Sequence, residues 1–232
     1  MWRFRHLCVG PAGGLLTSSI ALCFLFQPAF GQFAEDTLLP YAVNIDRTPT
    51  QSWRGYGIYL GRGFFLTAAH VVGRSWLTRP KVVIAGLEYP TNVVKEGSFQ
   101  TTDLTLLSVD ENLLPSRLRL RRLALCRHRP RPGEQVITVV PEGIASSHII
   151  APGRIPIGAR RFSTAITDVA KTGNSGSGVF DARQRCLLGI MSRKISERRS
   201  LVAIGKSPVR DIAKYFVPAS EIADFLPPAA GL

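Results

Sequence analysis

The sequence predicts an all-β chain of two packed antiparallel barrels followed by a short C-terminal helix. Three observations carry that expectation. Short β-prone runs recur at regular spacing, separated by Gly and Pro breaks, as in antiparallel barrels. The chain has 232 residues, and removing an N-terminal targeting segment of 31 leaves 201, a length that suits one all-β domain of two barrels. No internal repeat or low-complexity linker divides those residues.

The targeting segment is read from residues 1–31. Arg3 and Arg5 supply a basic start, Leu15 to Phe26 an apolar core of twelve residues, and Pro28 a helix break. Ala29-Phe30-Gly31 then has the small-x-small spacing of a signal-peptidase site. The apolar core is shorter than the roughly 20 residues of a membrane span. Cleavage near Gly31 is expected, leaving a domain over 32–232 in a periplasmic or extracellular location; retention as an uncleaved anchor is the alternative.

The first barrel is expected over about 41–109. Its strands are read at Tyr56–Leu60, Phe64–Thr67, Lys81–Ala85, Asn92–Lys95 and Leu104–Val109, with turns at Gly61-Arg62-Gly63 and Gly97-Ser98. The second is expected over about 122–226. Its strands are read at Gln135–Val140, His148–Ile150, Phe162–Thr167, Gly178–Phe180, Leu187–Ser192, Leu201–Ile204 and Tyr215–Pro218. Pro218-Ala219-Ser220-Glu221 opens the C-terminal helix, which ends before Pro227-Pro228.

Charge and cysteines narrow the function classes. The full chain has 29 basic and 16 acidic residues; the targeting segment holds two of the former and none of the latter, so the remainder carries net +11. Seven arginines fall between Arg117 and Arg131. Arg117-Leu118-Arg119-Leu120-Arg121 alternates with period two, as a strand or extended linker does when Leu faces inward. This segment is either a solvated face or an attachment to an anionic surface or acidic substrate. Nucleic acid is not an expected partner, because aromatics are not interleaved with the arginines and the export signal points elsewhere. Cys8 and Cys23 leave with the targeting segment. Cys126 and Cys186 remain as an even pair in an exported chain, which favours one disulfide over two buried thiols. His70, His128 and His148 have no ligand-like spacing with those cysteines, so no metal site is expected.

The chemistry is concentrated in three short runs. In Thr172-Gly173-Asn174-Ser175-Gly176-Ser177, a tight turn of small residues lets the N–H groups of Gly173 and Ser175 converge beside Oγ of Ser175. A serine needs a base to take its proton, and an attacked carbonyl needs donors where its oxygen becomes anionic. Upstream, the apolar run Phe64 to Ala69 delivers His70, with two alanines leaving room around the ring. Asp103 stands immediately before the apolar run from Leu104. The order is His70, Asp103, Ser175.

That order and those motifs resemble the chymotrypsin-like serine proteases, in contrast to subtilisins and α/β-hydrolases, which reach the same geometry in other chain orders. Thr67-Ala68-Ala69-His70, Asp103-Leu104-Thr105-Leu106-Leu107 and Gly173-Asn174-Ser175-Gly176-Ser177 carry the resemblance, together with Leu188-Gly189-Ile190 and over roughly Tyr56 to Leu226. Within the group the chain is most similar to exported bacterial branches, the glutamyl-endopeptidase and HtrA-like proteases. The resemblance implies two six-stranded barrels with the site in the cleft between them. It implies an exported, monomeric serine endopeptidase acting on protein or peptide substrates through an acyl-enzyme, without a cofactor. Ser175 would be the nucleophile, His70 the base and Asp103 its orienting acid, with Gly173 and Ser175 as oxyanion donors. The alternative is a catalytically silent protease-fold scaffold at an anionic surface.

The same resemblance locates the substrate-binding residues. The carbonyl of Ser192 would accept a substrate N–H. Arg193 and Lys194 either narrow the pocket mouth, or attract acidic substrates at subsites near it, or point to solvent. Asp168 either forms the base of the pocket, favouring Lys or Arg, or caps the preceding strand. Glutamyl endopeptidases place a histidine where this chain has Met191, so their means of holding glutamate is missing.

Overall fold

The computed structural model describes residues 37–47, 55–167, 175–198 and 209–230. The targeting segment and the strand read at Leu201–Ile204 lie outside the described residues. The chain forms two antiparallel sheets and a short C-terminal helix.

The first sheet is built from β1 (Ala42–Asp46), β2 (Gly55–Gly61), β3 (Phe64–Thr67), β4 (Lys81–Ile84), β5 (Leu87–Pro90), β6 (Asn92–Glu96) and β7 (Thr105–Ser108), in the order β5-β4-β1-β2-β3-β7-β6. Only Thr91 separates β5 from β6. One extended segment therefore pairs with β4 through Lys81↔Pro90 and with β7 through Asn92↔Ser108, joining the two edges. The seven strands thus describe a closed six-stranded barrel with one bent member, and closure removes the exposed edges.

The second sheet is built from β8 (Gln135–Val140), β9 (Gly143–His148), β10 (Ala165–Ile166), β11 (Gly178–Asp181), β12 (Leu187–Arg198) and β13 (Val209–Pro218), in the order β10-β13-β12-β11-β8-β9. Its edges meet as well: Ile149 bridges Ile166, and the N–H of Ile150 donates to the Ala165 carbonyl at 2.9 Å. The strand expected at His148–Ile150 instead runs earlier, over β9. Its Ile-Ala-Ser-Ser sequence lacks an apolar run, and buried Ser147 satisfies its hydroxyl at the Thr167 carbonyl, 3.0 Å away.

The packing explains why the strands read as continuous apolar runs. Successive side chains of a strand point to opposite faces, and here both faces are buried. Tyr59, Phe65 and Leu107 fill the first barrel, while their neighbours Ile58, Leu66 and Leu106 face the second. Val136, Val179 and Leu188 fill the second barrel, while Ile137, Phe180 and Ile190 face the first. Each such side chain contributes roughly 1.5–3 kcal/mol on burial, far above the ~0–1 kcal/mol of a surface ion pair. The shared layer between the barrels therefore fixes their relative position, and with it the cleft.

The helix Ala219–Phe225 adds Ile222 and Phe225 to that layer. Lys95 of the first barrel donates to the Phe225 carbonyl at 2.6 Å and lies over its ring, a cation at the helix's negative end. Cys126 and Cys186 form a disulfide that closes 60 residues of the second barrel, worth about 2–4 kcal/mol for a loop of this kind.

The arginine segment departs from its period-two reading. Ser116–Arg119 forms a helical turn, because Leu114 and Leu118, four residues apart, are both buried on one side. The Pro115 carbonyl accepts the N–H groups of Leu118 and Arg119 at 2.8 and 3.1 Å, whereas Leu120 is 86% exposed. The arginines do not form one uniform face either. Arg121 stacks over Tyr41, and Arg119 is half-buried, while Arg117, Arg127, Arg129 and Arg131 are exposed.

Candidate active site

The register of β3 against β7 places two of the three residues singled out in the sequence. Thr67 pairs with Thr105, so the chain leaving β3 and the chain entering β7 share one end of the barrel. Buried Ala68 and Ala69 allow a tight helical turn, Ala69–Val72, which turns His70 back over that end. Asp103, 1% exposed, meets it with both oxygens: Oδ1 accepts the His70 backbone N–H at 3.0 Å, and Oδ2 lies 2.8 Å from Nδ1. The Ser192 hydroxyl donates to the same Oδ2 at 2.5 Å. Burial pushes the Asp103 carboxyl up, but hydrogen bonds from the His70 ring, the Ser192 hydroxyl and the His70 backbone outweigh it and hold it below the usual range. An ionised acceptor on Nδ1 leaves the proton there and a lone pair on Nε2.

Ser175 sits at the seam of the two barrels, held by main-chain bonds to each. Its carbonyl accepts the N–H of Tyr56 in β2 at 3.0 Å, and the following Gly176 N–H donates to the Met191 carbonyl of β12 at 2.8 Å. Gly176 has φ +88°, and a Cβ there would lie 1.8 Å from the Tyr56 carbonyl oxygen, so only glycine fits this crossing. The Ser175 hydroxyl donates to the Ser192 carbonyl at 3.2 Å. Ser192 thus touches both halves of the site, its hydroxyl on Asp103 and its carbonyl on Ser175.

His70, Ser175 and Ser192 line one cavity of about 460 Å³ between the barrels. Arg193 is half-buried at its wall, with its guanidinium 4.0 Å from the Phe99 ring centroid and 5.0 Å from that of Phe162, donating to the Phe99 carbonyl at 2.7 Å. Phe99 in turn meets the His70 ring edge-on at 5.2 Å. Lys194 is exposed and pairs with Asp211 at 2.7 Å. Asp168 and Gly173 lie outside the described residues.

Three participants escaped sequence reasoning. The Ser192 hydroxyl, the Phe99 ring and Lys214, 6% exposed in the cavity lining, owe their places to strand register and loop closure rather than to local motifs. A cluster without ligand-like spacing also forms away from the cleft: His128 Nε2 lies 2.9 Å from Glu134 and 3.3 Å from Asp181. Backbone N–H groups of Arg131, Arg183 and Gln184 also donate to these carboxylates, so they tie a turn together.

A family model for the trypsin-like peptidase domain matches residues 55–190, more than half of the chain. No curated protein matches the sequence. Among solved structures, the HtrA-type protease AlgW with a tripeptide is 23% identical, with a TM-score of 0.57, over 82% of this chain and 60% of that one. The active form of the Rv3671c protease from M. tuberculosis is 18% identical, with a TM-score of 0.55, over 86% and 85%. The serine protease of a human pathogenic astrovirus is 21% identical, with a TM-score of 0.51, over 82% and 94%. These likenesses concern the fold.

Proposed function

The chain belongs to the trypsin-like peptidase family, and on that basis we propose that it is an exported serine endopeptidase using Ser175, His70 and Asp103. The observation that carries this reading is the hydrogen-bonded pair His70 Nδ1 and Asp103 Oδ2, 2.8 Å apart, in which His70 lines the same cavity as Ser175 and Asp103 is buried behind it. The Ser175 hydroxyl turns from the Ser192 carbonyl toward His70 Nε2 and attacks the peptide carbonyl as the imidazole takes its proton. The imidazolium formed is stabilised by Asp103, and it returns the proton to the leaving amine. Water activated by the same histidine then releases the acyl group. The N–H groups of Gly173 and Ser175 are proposed to receive the oxyanion; losing one such donor typically costs roughly 10²–10³ in kcat. The silent-scaffold alternative has less support, since none of the three residues is replaced. Purified protein should hydrolyse casein or a mixed peptide library and be stopped by a serine-directed inhibitor; a folded protein with no turnover on either contradicts the proposal.

Residues 1–31 support export to the periplasm or beyond. We propose in addition that exposed Arg117, Arg127, Arg129 and Arg131 attract anionic surfaces, through a field that salt screens over about 8 Å at physiological strength. Replacing Arg127, Arg129 and Arg131 with glutamine should weaken binding to anionic vesicles, with the deficit shrinking as salt rises. A parent protein that ignores such vesicles contradicts this.

A further inference from the structure

A second group of ionisable side chains sits on the second barrel and shares no residue with the cleft lining. Asp181 ends β11 opposite Val136 of β8, and the Ala182 N–H donates to the Gln135 carbonyl at 3.2 Å, so the turn after β11 is bound to the start of β8. Glu134 immediately precedes β8, and His128 stands six residues before Glu134. Strand pairing therefore gathers three residues whose spacing in the chain gives no sign of it.

Each carboxylate has one oxygen fixed by the backbone and one turned inward. Glu134 Oε2 accepts the Arg131 N–H at 2.8 Å, and Asp181 Oδ1 accepts those of Arg183 and Gln184 at 2.6 and 2.7 Å. The inward oxygens converge on one ring nitrogen: Glu134 Oε1 lies 2.9 Å and Asp181 Oδ2 3.3 Å from His128 Nε2. The three groups offer ligand atoms that all lie within 4.8 Å of one another. Around a tetrahedral zinc ion, with bonds of about 2.0–2.2 Å, ligand atoms stand about 3.3 Å apart. The triangle needs only a slight opening to admit the ion.

Charge and burial favour the same occupant. Asp181 is 6% exposed, and Glu134 and His128 are half-buried. Two carboxylates meeting in such a position call for a cation between them. Arg131 and Arg183 do not supply it: their side chains are exposed, and each reaches a carboxylate through its backbone N–H. A neutral imidazole with two carboxylates is a mixed nitrogen and oxygen set, which suits zinc; calcium and magnesium take oxygen ligands. The adjoining cavity of about 590 Å³, lined by all three residues, admits water as a fourth ligand.

We propose that His128, Glu134 and Asp181 form a zinc site that clamps the 128–134 segment to the turn between β11 and β12. The sulfurs of Cys126 and Cys186 also lie within 4.8 Å of His128, but joined as a disulfide they offer no thiolate. The ion is a second crosslink beside that disulfide, in the barrel whose β12 carries Ser192. Its role is structural, and the proposal stands apart from the peptidase reading.

The test is zinc titration by calorimetry of the full-length, chelator-treated protein with its disulfide intact, paired with thermal melts. Glu134→Gln and Asp181→Asn each keep an acceptor oxygen for the backbone N–H groups and lose an inward carboxylate oxygen; His128→Gln loses the ring. The parent should bind a single ion per chain and melt at a higher temperature as free zinc increases. Each variant should weaken binding at least tenfold, since loss of even an outer partner of a ligand costs roughly 10–100-fold. Cobalt should give the visible absorption of a tetrahedral ion in the parent and not in His128→Gln. If one variant fails to fold, the other two decide. No zinc binding by the parent overturns the proposal and leaves His128 as a plain hydrogen-bonding partner of the two carboxylates. Binding that survives His128→Gln, as an ion on His70 would, also overturns it. So does binding that requires reduction of the disulfide, which would assign the ion to the thiolates.

Discussion

Ser175→Ala should abolish hydrolysis, lowering kcat by about 10⁶ as loss of the nucleophile does in sites that act as a unit, while the protein stays folded. The backbone at this position is held by the Tyr56 N–H on the Ser175 carbonyl and by the Gly176 N–H on the Met191 carbonyl. Both are main-chain bonds that alanine keeps. Among the described residues, the only side-chain bond lost is the one from Oγ to the Ser192 carbonyl, with a net worth of about 1 kcal/mol. Peptide turnover and a thermal melt on the same preparation separate the two effects. Turnover near the parent level would mean that another residue is the nucleophile.

Asp103→Asn should leave the barrels intact and lower kcat by roughly 10⁴. The carboxylate accepts three hydrogen bonds, from the His70 backbone at 3.0 Å, from Nδ1 at 2.8 Å and from the Ser192 hydroxyl at 2.5 Å. An amide has one acceptor oxygen and two N–H donors, so it cannot serve all three. With the amide nitrogen facing Nδ1, the imidazole keeps its proton on Nε2 and can no longer take one from Ser175. The substitution also has a pH signature. Because the folded state holds the Asp103 carboxyl below its ordinary value, its stabilising effect is complete above the unfolded value near 3.9 and is lost as pH falls through the folded one. The stability gap between parent and variant should therefore be widest near neutrality and close in acid. A loss of less than tenfold in kcat would mean that a different group orients His70.

Legibility in the sequence followed how local each feature is. Phe64–Thr67 and Gln135–Val140 form strands over the very residues their apolar runs mark, because both faces of those strands are buried. β1 is harder to read: Ala-Val-Asn-Ile-Asp buries only Val43 and Ile45, and its partners β2 and β4 are distant in the chain. β5 is mostly exposed and gives almost no apolar signal. Leu118 and Leu120 show how composition misleads, since the alternation of Leu and Arg fits a strand while the four-residue step from Leu114 to Leu118 sets a helical turn.

The site divides in the same way. His70, Asp103 and Ser175 each stand in a short motif; the structure hydrogen-bonds Asp103 to His70 and puts His70 and Ser175 on the lining of one cavity. The second role of Ser192 depends on β12 passing behind Asp103, and the place of Lys214 in the cavity lining on the pairing of β12 with β13. Neither can be seen until the register is known, although Ser192 itself is visible in the resemblance.

The most direct measurement is labelling of the purified, full-length protein with a fluorophosphonate, followed by mass spectrometry of the adduct. Such a reagent reports an activated serine whatever the natural substrate is. The account predicts a single adduct on Ser175, sharply slower in Asp103→Asn and absent in Ser175→Ala. A folded parent protein that takes up no label, or takes it up on another serine, would contradict it.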